Sequence, residues 1–218
     1  MKKQKAVLKT ILFDLEGTLI KSTPFHIESF YLILRNYSSA VSRKKIRSVI
    51  SYSSEEIYRK LKAKKITSLS LNKFLNKRRK QYFSLVKGKN LLFPQTLPLI
   101  KELKKRFLQG IVTNSSRITT NKSTSQKFRK LFRAIITWSD VKKGKPDKEP
   151  VIKALKALKV KAGECIFVGD SLDDALAAKR AKVKFIGVTT GLTSGKKLKK
   201  AGAFAVVSNL AQTAKIIK

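Results

Sequence analysis

The chain has 218 residues, 42% of them hydrophobic, and carries 50 Lys and Arg against 13 Asp and Glu, for a formal charge of +37. That length and apolar content exclude an intrinsically disordered chain and allow one good core, or a core with a modest insertion. No run approaches the roughly eighteen continuous apolar residues of a membrane span, and the single cysteine, Cys165, excludes an intrachain disulfide and a cysteine-based metal cluster. The N-terminal M-K-K-Q-K runs straight into an apolar segment with no secretory pattern, so a soluble, cytoplasmic protein without a membrane partner is expected. The basic residues are spread along the chain and do not interleave with an aromatic RNA-binding signature. They predict at most nonspecific attraction to nucleic acid or other polyanions, since charge alone reads no sequence.

In chain order, Val7 to Phe13 reads as a buried strand. After Ile20 the texture turns polar and helical, and no glycine appears until Gly88. Phe25, Ile27, Phe30, Tyr31, Ile33 and Leu34 predict one amphipathic helix, and Ile46, Val49 and Ile50 a second. Ser53-Ser54-Glu55-Glu56 has the form of a helix start ahead of Ile57, Tyr58 and Leu61, while Leu71, Phe74, Leu75, Tyr82, Phe83 and Val86 predict a longer last helix. Phe93-Pro94 and Pro98 mark the return to the main domain. Strands are then predicted at Gly110 to Thr113, Ala134 to Thr137, Cys165 to Val168, Phe185 to Val188 and Ala203 to Val207. Helices are predicted at Ser123 to Phe132, Pro150 to Leu158, Asp173 to Arg180 and Leu210 to Ile217. Alternating strands and helices imply an α/β fold with a Rossmann-like parallel sheet and helices on both faces. The domains expected are an α/β core over 1–20 and 90–218 and an inserted small α-helical cap over 21–89.

Five of the thirteen acidic residues fall in two short loops, Asp14 and Glu16 in F-D-L-E-G-T and Asp170, Asp173 and Asp174 in V-G-D-S-L-D-D. Each loop follows a predicted interior strand, at the carboxyl end where open α/β sheets place their sites. Clustered carboxylates must share a cation or a proton, which points to a divalent metal site.

The order Asp14, Glu16, Gly17, Thr18, then Thr113 at a strand end, Lys145 in G-K-P-D, and Asp170 with Asp174 resembles the haloacid dehalogenase-like hydrolase superfamily. K-P-D-K-E-P-V-I-K-A-L followed by F-V-G-D-S-L-D-D-A-L-A-A is similar to its phosphoglycolate-phosphatase-like members, which carry a helical cap where the insertion lies. The resemblance implies Asp14 as nucleophile, forming an aspartyl phosphate. It implies Mg²⁺ held by Asp14, Asp170 and the Glu16 carbonyl, with Asp174 ligating or orienting a metal water. Asp173 points about 100° away from Asp174 on the same helix and is peripheral. The phosphoryl group would be met by the Thr113 hydroxyl, the amides of Leu15 and Asn114, and Lys145, which also balances the carboxylate charge. Gly17 permits a tight backbone path, and Thr18 is expected to hydrogen-bond within its own loop.

Glu16 departs from the family, which usually has aspartate there as general acid and base. The extra methylene moves the carboxyl by roughly 1 Å, and a misplacement of that size can cost on the order of a hundredfold in rate. Lys182 stands where the family often has glycine at a helix end. His26 has two readings, a substrate contact or a packed cap residue. The activity expected is hydrolysis of a small anionic phosphorylated substrate, phosphoglycolate first. A nucleotide, a sugar phosphate, pyrophosphate or a phosphomutase reaction fits the same residues. A catalytically weakened polyanion-binding protein is the reading of a different class, motivated by Glu16 and the net charge. The sequence carries no signature of an oligomeric state.

Overall fold

The computed structural model describes residues 7–37, 41–50, 54–61 and 70–217. The chain divides into two compact units, Met1–Lys21 with Asn90–Lys218, and Ser22–Lys89.

The first unit is built on a six-stranded parallel sheet in the order β3-β2-β1-β4-β5-β6. Its strands are β1 (Thr10–Phe13), β2 (Leu108–Val112), β3 (Ala134–Ile136), β4 (Cys165–Gly169), β5 (Lys184–Val188) and β6 (Ala205–Val207). In register across the middle of the sheet, Gly110, Leu12, Phe167 and Phe185 lie in one row, and Ile111, Phe13, Val168 and Ile186 in the next. Successive residues of a strand face opposite sides, and both rows are buried, so both faces of the sheet are covered. A Cβ on Gly110 would stand 2.8 Å from the tip of the Leu12 side chain, which would have to shift to make room for it. Cys165 lies in this core, where burial pushes its thiol up to about 12; it acts as a small hydrophobe.

The helices of this unit are α5 (Thr96–Leu103), α6 (Arg117–Ser123), α7 (Gln126–Arg129), α8 (Glu149–Leu158), α9 (Leu172–Arg180), α10 (Gly195–Lys200) and α11 (Thr213–Ile216). Several depart from the sequence expectations. The helix expected from Ser123 to Phe132 is only the short α7, started by Ser125, which accepts from the Phe128 amide, while α6, started by Ser116 accepting from the Thr119 amide, ends where the expected helix would begin. The C-terminal helix is preceded by a 3₁₀ turn at Leu210–Gln212, started by the Asn209 cap. The first strand begins at Thr10, and Val7 is exposed. Helices α5, α6 and α10 were not expected: Pro98 suggested a connection but lies within the first turn of α5, where its missing N–H costs nothing. Lys182 adopts the left-handed conformation (φ 58°) that glycine usually supplies after a helix, and Lys159 does the same after α8 (φ 55°).

The second unit contains α1 (Thr23–Leu34), α2 (Arg43–Val49), α3 (Ser54–Leu61) and α4 (Leu71–Val86). Pro24 occupies the first turn of α1, and Ser42 and Ser70 cap α2 and α4 by accepting from Lys45 and Lys73 amides. Ser53, expected to open the third helix, lies outside the described residues. The core joins Ile27, Phe30, Leu34, Ile46, Ile57 and Phe74, whose ring centroid is 5.9 Å from that of Phe30 and 4.8 Å from that of Tyr58. His26 stacks flat on Tyr82 at 4.1 Å, with an Arg78 Nη1 3.2 Å from its Nδ1.

Candidate active site

The sheet order places the site. Strands β2 and β3 lie to one side of β1, and β4 to β6 to the other, so the chain reverses its winding direction between β1 and β4. The crevice beyond the carboxyl ends of that pair is where doubly wound sheets bind ligands. Phe13 is in register with Val168, and the Asp14 amide continues the ladder by donating to the Val168 carbonyl at 2.8 Å. The two acidic loops therefore leave the sheet side by side.

The ligand oxygens of Asp14, Asp170 and Asp174 all lie within 4.8 Å of one another, and all three residues are buried. Lys145 enters from the loop ahead of α8. Its ammonium donates to Asp14 Oδ1 at 2.5 Å, to Asp174 Oδ1 at 2.6 Å and to the Val112 carbonyl at 3.0 Å. Those three bonds use all its donors. Its backbone is held by Asn114, whose side chain accepts from the Lys145 amide and donates to the Lys145 carbonyl, both at 2.8 Å. Thr113 is buried at the end of β2, where its hydroxyl accepts from the Ser115 amide at 3.1 Å. Leu15 is fully buried, and its carbonyl accepts from Leu19 and Ile20.

Asp174 sits on the first turn of α9 in a reciprocal cap. Its Oδ2 accepts from the Ser171 amide at 3.0 Å and hydroxyl at 2.6 Å, while the Ser171 hydroxyl accepts from the Asp174 amide. With Lys145 on Oδ1, both carboxylate oxygens are engaged. That arrangement suits a residue that orients the site. Gly169 must be glycine, because a Cβ there would lie 2.6 Å from the Asp174 carboxyl carbon.

The expectation for Thr18 needs correcting. Its hydroxyl reaches out of its loop to Asp170 Oδ1 at 3.0 Å, tying the two acidic loops together. Gly17 has φ +87°, and a Cβ on it would also stand 2.6 Å from Asp170 Oδ2. Asp173 is half-buried beside Asp174. Sequence reasoning missed the Asn114 side-chain clamp, the Val112 carbonyl and the loop after β5. The Ser171–Asp174 cap was missed as well, although Ser171-x-x-Asp174 has the spacing of a capping box and so carried a readable signal.

The cluster holds three carboxylates, and the Lys145 ammonium pairs with two of them, Asp14 and Asp174, so it is short of positive charge. Burial pushes the Asp14 carboxyl up to about 7; Lys145 opposes the rise, and the charges of Asp174 and Glu16 add to it. Asp170 is raised well above the usual range by burial, and then by Asp14 and Asp174. Burial works against the Lys145 ammonium, but the two carboxylates outweigh it and hold its proton above the ordinary lysine value. The upward push on Asp14 and on Lys145 together means that one ammonium does not neutralise the cluster, which takes up a proton or a further cation. A hard divalent ion fits this all-oxygen donor set.

The haloacid dehalogenase-like hydrolase family model matches residues 11–188. The chain is 32% identical over 183 residues to the pyrophosphatase PpaX of Anoxybacillus flavithermus, covering 83% of each protein. It superposes on a haloacid dehalogenase-like hydrolase from Bacteroides fragilis at a TM-score of 0.79 and 28% identity, covering 94% of this chain and 99% of that one. A structure from Lactobacillus plantarum named as a phosphoglycolate phosphatase shares the fold at a TM-score of 0.79 and 21% identity, covering 96% of this chain and 99% of the other. With the acidic loops on adjacent strand ends and the family match spanning both, the chain is an enzyme of the haloacid dehalogenase-like hydrolase family.

Proposed function

We propose that the chain is a Mg²⁺-dependent phosphatase of small phosphorylated metabolites that works through an aspartyl phosphate on Asp14. The observation that carries this reading is the buried cluster of Asp14, Asp170 and Asp174, two of which, Asp14 and Asp174, share the ammonium of Lys145. Asp14, Asp170 and the Glu16 carbonyl are the residues to hold Mg²⁺, and Asp174 orients them. When bound, the ion supplies the positive charge that lets an anionic phosphoryl group approach a carboxylate.

Asp14 attacks phosphorus with one carboxylate oxygen, and the leaving oxygen departs with a proton from Glu16. Glu16 then takes a proton from water as water attacks the acyl phosphate, which releases phosphate and regenerates Asp14. Thr113 and the amides of Leu15 and Asn114 bind the phosphoryl oxygens, and Lys145 keeps the cluster's charge in balance. Residues 21–89 are assigned the role of a cap domain that selects the substrate.

Phosphoglycolate is the substrate that the sequence motifs favour. The 32% identity to a protein named as a pyrophosphatase favours pyrophosphate as a second candidate. Purified protein is incubated with phosphoglycolate, sugar phosphates, nucleotides and pyrophosphate, with and without Mg²⁺, beside Asp14→Asn. Metal-dependent phosphate release that the variant lacks is expected, and release from none of these substrates would sink the assignment.

A further inference from the structure

The loop after β5 has no part in the chemistry above, yet it meets the acidic site at two points. The Thr190 hydroxyl donates to the Gly17 carbonyl at 2.6 Å, across 173 residues of sequence. Gly191 lies so close to Asp170 that a Cβ on it would stand 1.7 Å from Oδ2 and 2.5 Å from the carboxyl carbon. The base of the loop is fixed to β6 by the Thr189 amide, which donates to the Val207 carbonyl at 3.0 Å.

Taken with the nucleophile loop, these contacts enclose one carboxylate. Oδ1 of Asp170 accepts from Thr18, while Oδ2 has Gly17 on one flank and Gly191 on another, each so near that no larger residue fits. The Thr190 bond clamps Gly17, and so sets the distance between two walls of the same enclosure. A carboxylate freed from such walls can rotate about two side-chain bonds, and binding an ion would then require ordering it. Walls and hydrogen bonds hold Asp170 in one orientation beforehand.

We propose that Thr190 and Gly191 are positioning residues that hold Asp170 ready to bind the divalent cation. The proposal rests on the reading of Asp170 as a Mg²⁺ ligand. Groups that hold a metal ligand directly typically carry about 10- to 100-fold of metal affinity; Thr190 acts on Asp170 through Gly17, so a loss at the lower end of that range is expected for it.

The test is titration calorimetry of Mg²⁺ into the 218-residue chain, with folding followed separately by thermal melting. Thr190→Val keeps the shape and removes the donor, and its Mg²⁺ affinity falls by about 10-fold or more. Thr190→Ser restores the donor and with it affinity close to wild type. Gly191→Ala displaces the carboxylate and loses at least as much; if that variant does not fold, the Thr190 pair decides alone. Wild-type affinity in Thr190→Val, or equal losses in the Val and Ser variants, would overturn the proposal. Absence of saturable Mg²⁺ binding by the wild-type chain is a different outcome, since it would remove the metal reading on which the proposal stands.

Discussion

Among the described residues of Ser22–Lys89 the buried polar side chains are Ser22 and Ser29, whereas the sheet-bearing unit buries Asp14, Lys145, Asp170 and Asp174 together with a series of threonines. Phe30, Tyr58 and Phe74 hold the helical unit by burial and dispersion, which tolerate swaps that conserve volume. The sheet-bearing unit encloses charges that water would otherwise solvate, and each persists only because its partners are in place. A buried charge cluster is thus a stability cost, and any cation that bound it would stabilise the unit that bears it.

The largest expected effect breaks the ion cluster. Lys145→Ala leaves Asp14 and Asp174 without their ammonium, and the cost is about 3 to 5 kcal/mol in urea denaturation without Mg²⁺, with added Mg²⁺ recovering part of it. If stability is unchanged, the two units do not differ in the way argued above. Phe74→Ala tests the opposite side. It costs about 3 to 4 kcal/mol through a cavity in the helical unit, while Mg²⁺ affinity measured by calorimetry stays at the wild-type value.

Glu16→Asp sharpens the comparison inside the site. Withdrawing the extra methylene raises turnover, by as much as about a hundredfold, without changing Mg²⁺ affinity, because the backbone carbonyl is untouched. A fall in turnover would show that this site is built around the longer side chain.

The smallest effect belongs to a charge at the surface of the sheet-bearing unit. Burial pushes the Asp140 carboxyl up, but hydrogen bonds from Thr137 and Arg117 outweigh it and bring it down to about 2 from an ordinary 3.8. A folded value below the ordinary one means that the stabilisation is complete above the ordinary value and is lost as pH falls through about 2. The pair is partly solvated, so Asp140→Asn costs only about 1 kcal/mol at neutral pH. The gap between variant and wild-type unfolding free energies closes in acid.

The sheet was legible because its strands are short apolar runs ended by acidic or polar residues, and the meeting of Asp14, Asp170 and Asp174 because these residues follow two strand ends. Helix boundaries were less so: Ser125, which sets the start of α7 inside a longer predicted helix, acts through a local hydrogen bond that periodicity does not register. Thr190 and Gly191 were invisible for another reason. Their partners, Gly17 and Asp170, are remote in the chain and meet them only once parallel strands have lined up. The reach of Thr18 to Asp170 was missed on the same ground, since a hydroxyl in a tight loop gives no sign of leaving it.

The insertion begins and ends at neighbouring points of the first unit. Ile20 bridges Leu92 in antiparallel fashion, and the Lys21 amide donates to the Leu91 carbonyl at 2.7 Å. Anything spliced between them is a closed loop whose ends the sheet-bearing unit already holds together, and the entropy of closing such a loop grows only slowly with its length. The same scaffold can therefore accept inserts of very different size at nearly constant cost. Inserts can be exchanged at that junction while the acidic loops at the ends of β1 and β4 keep their places.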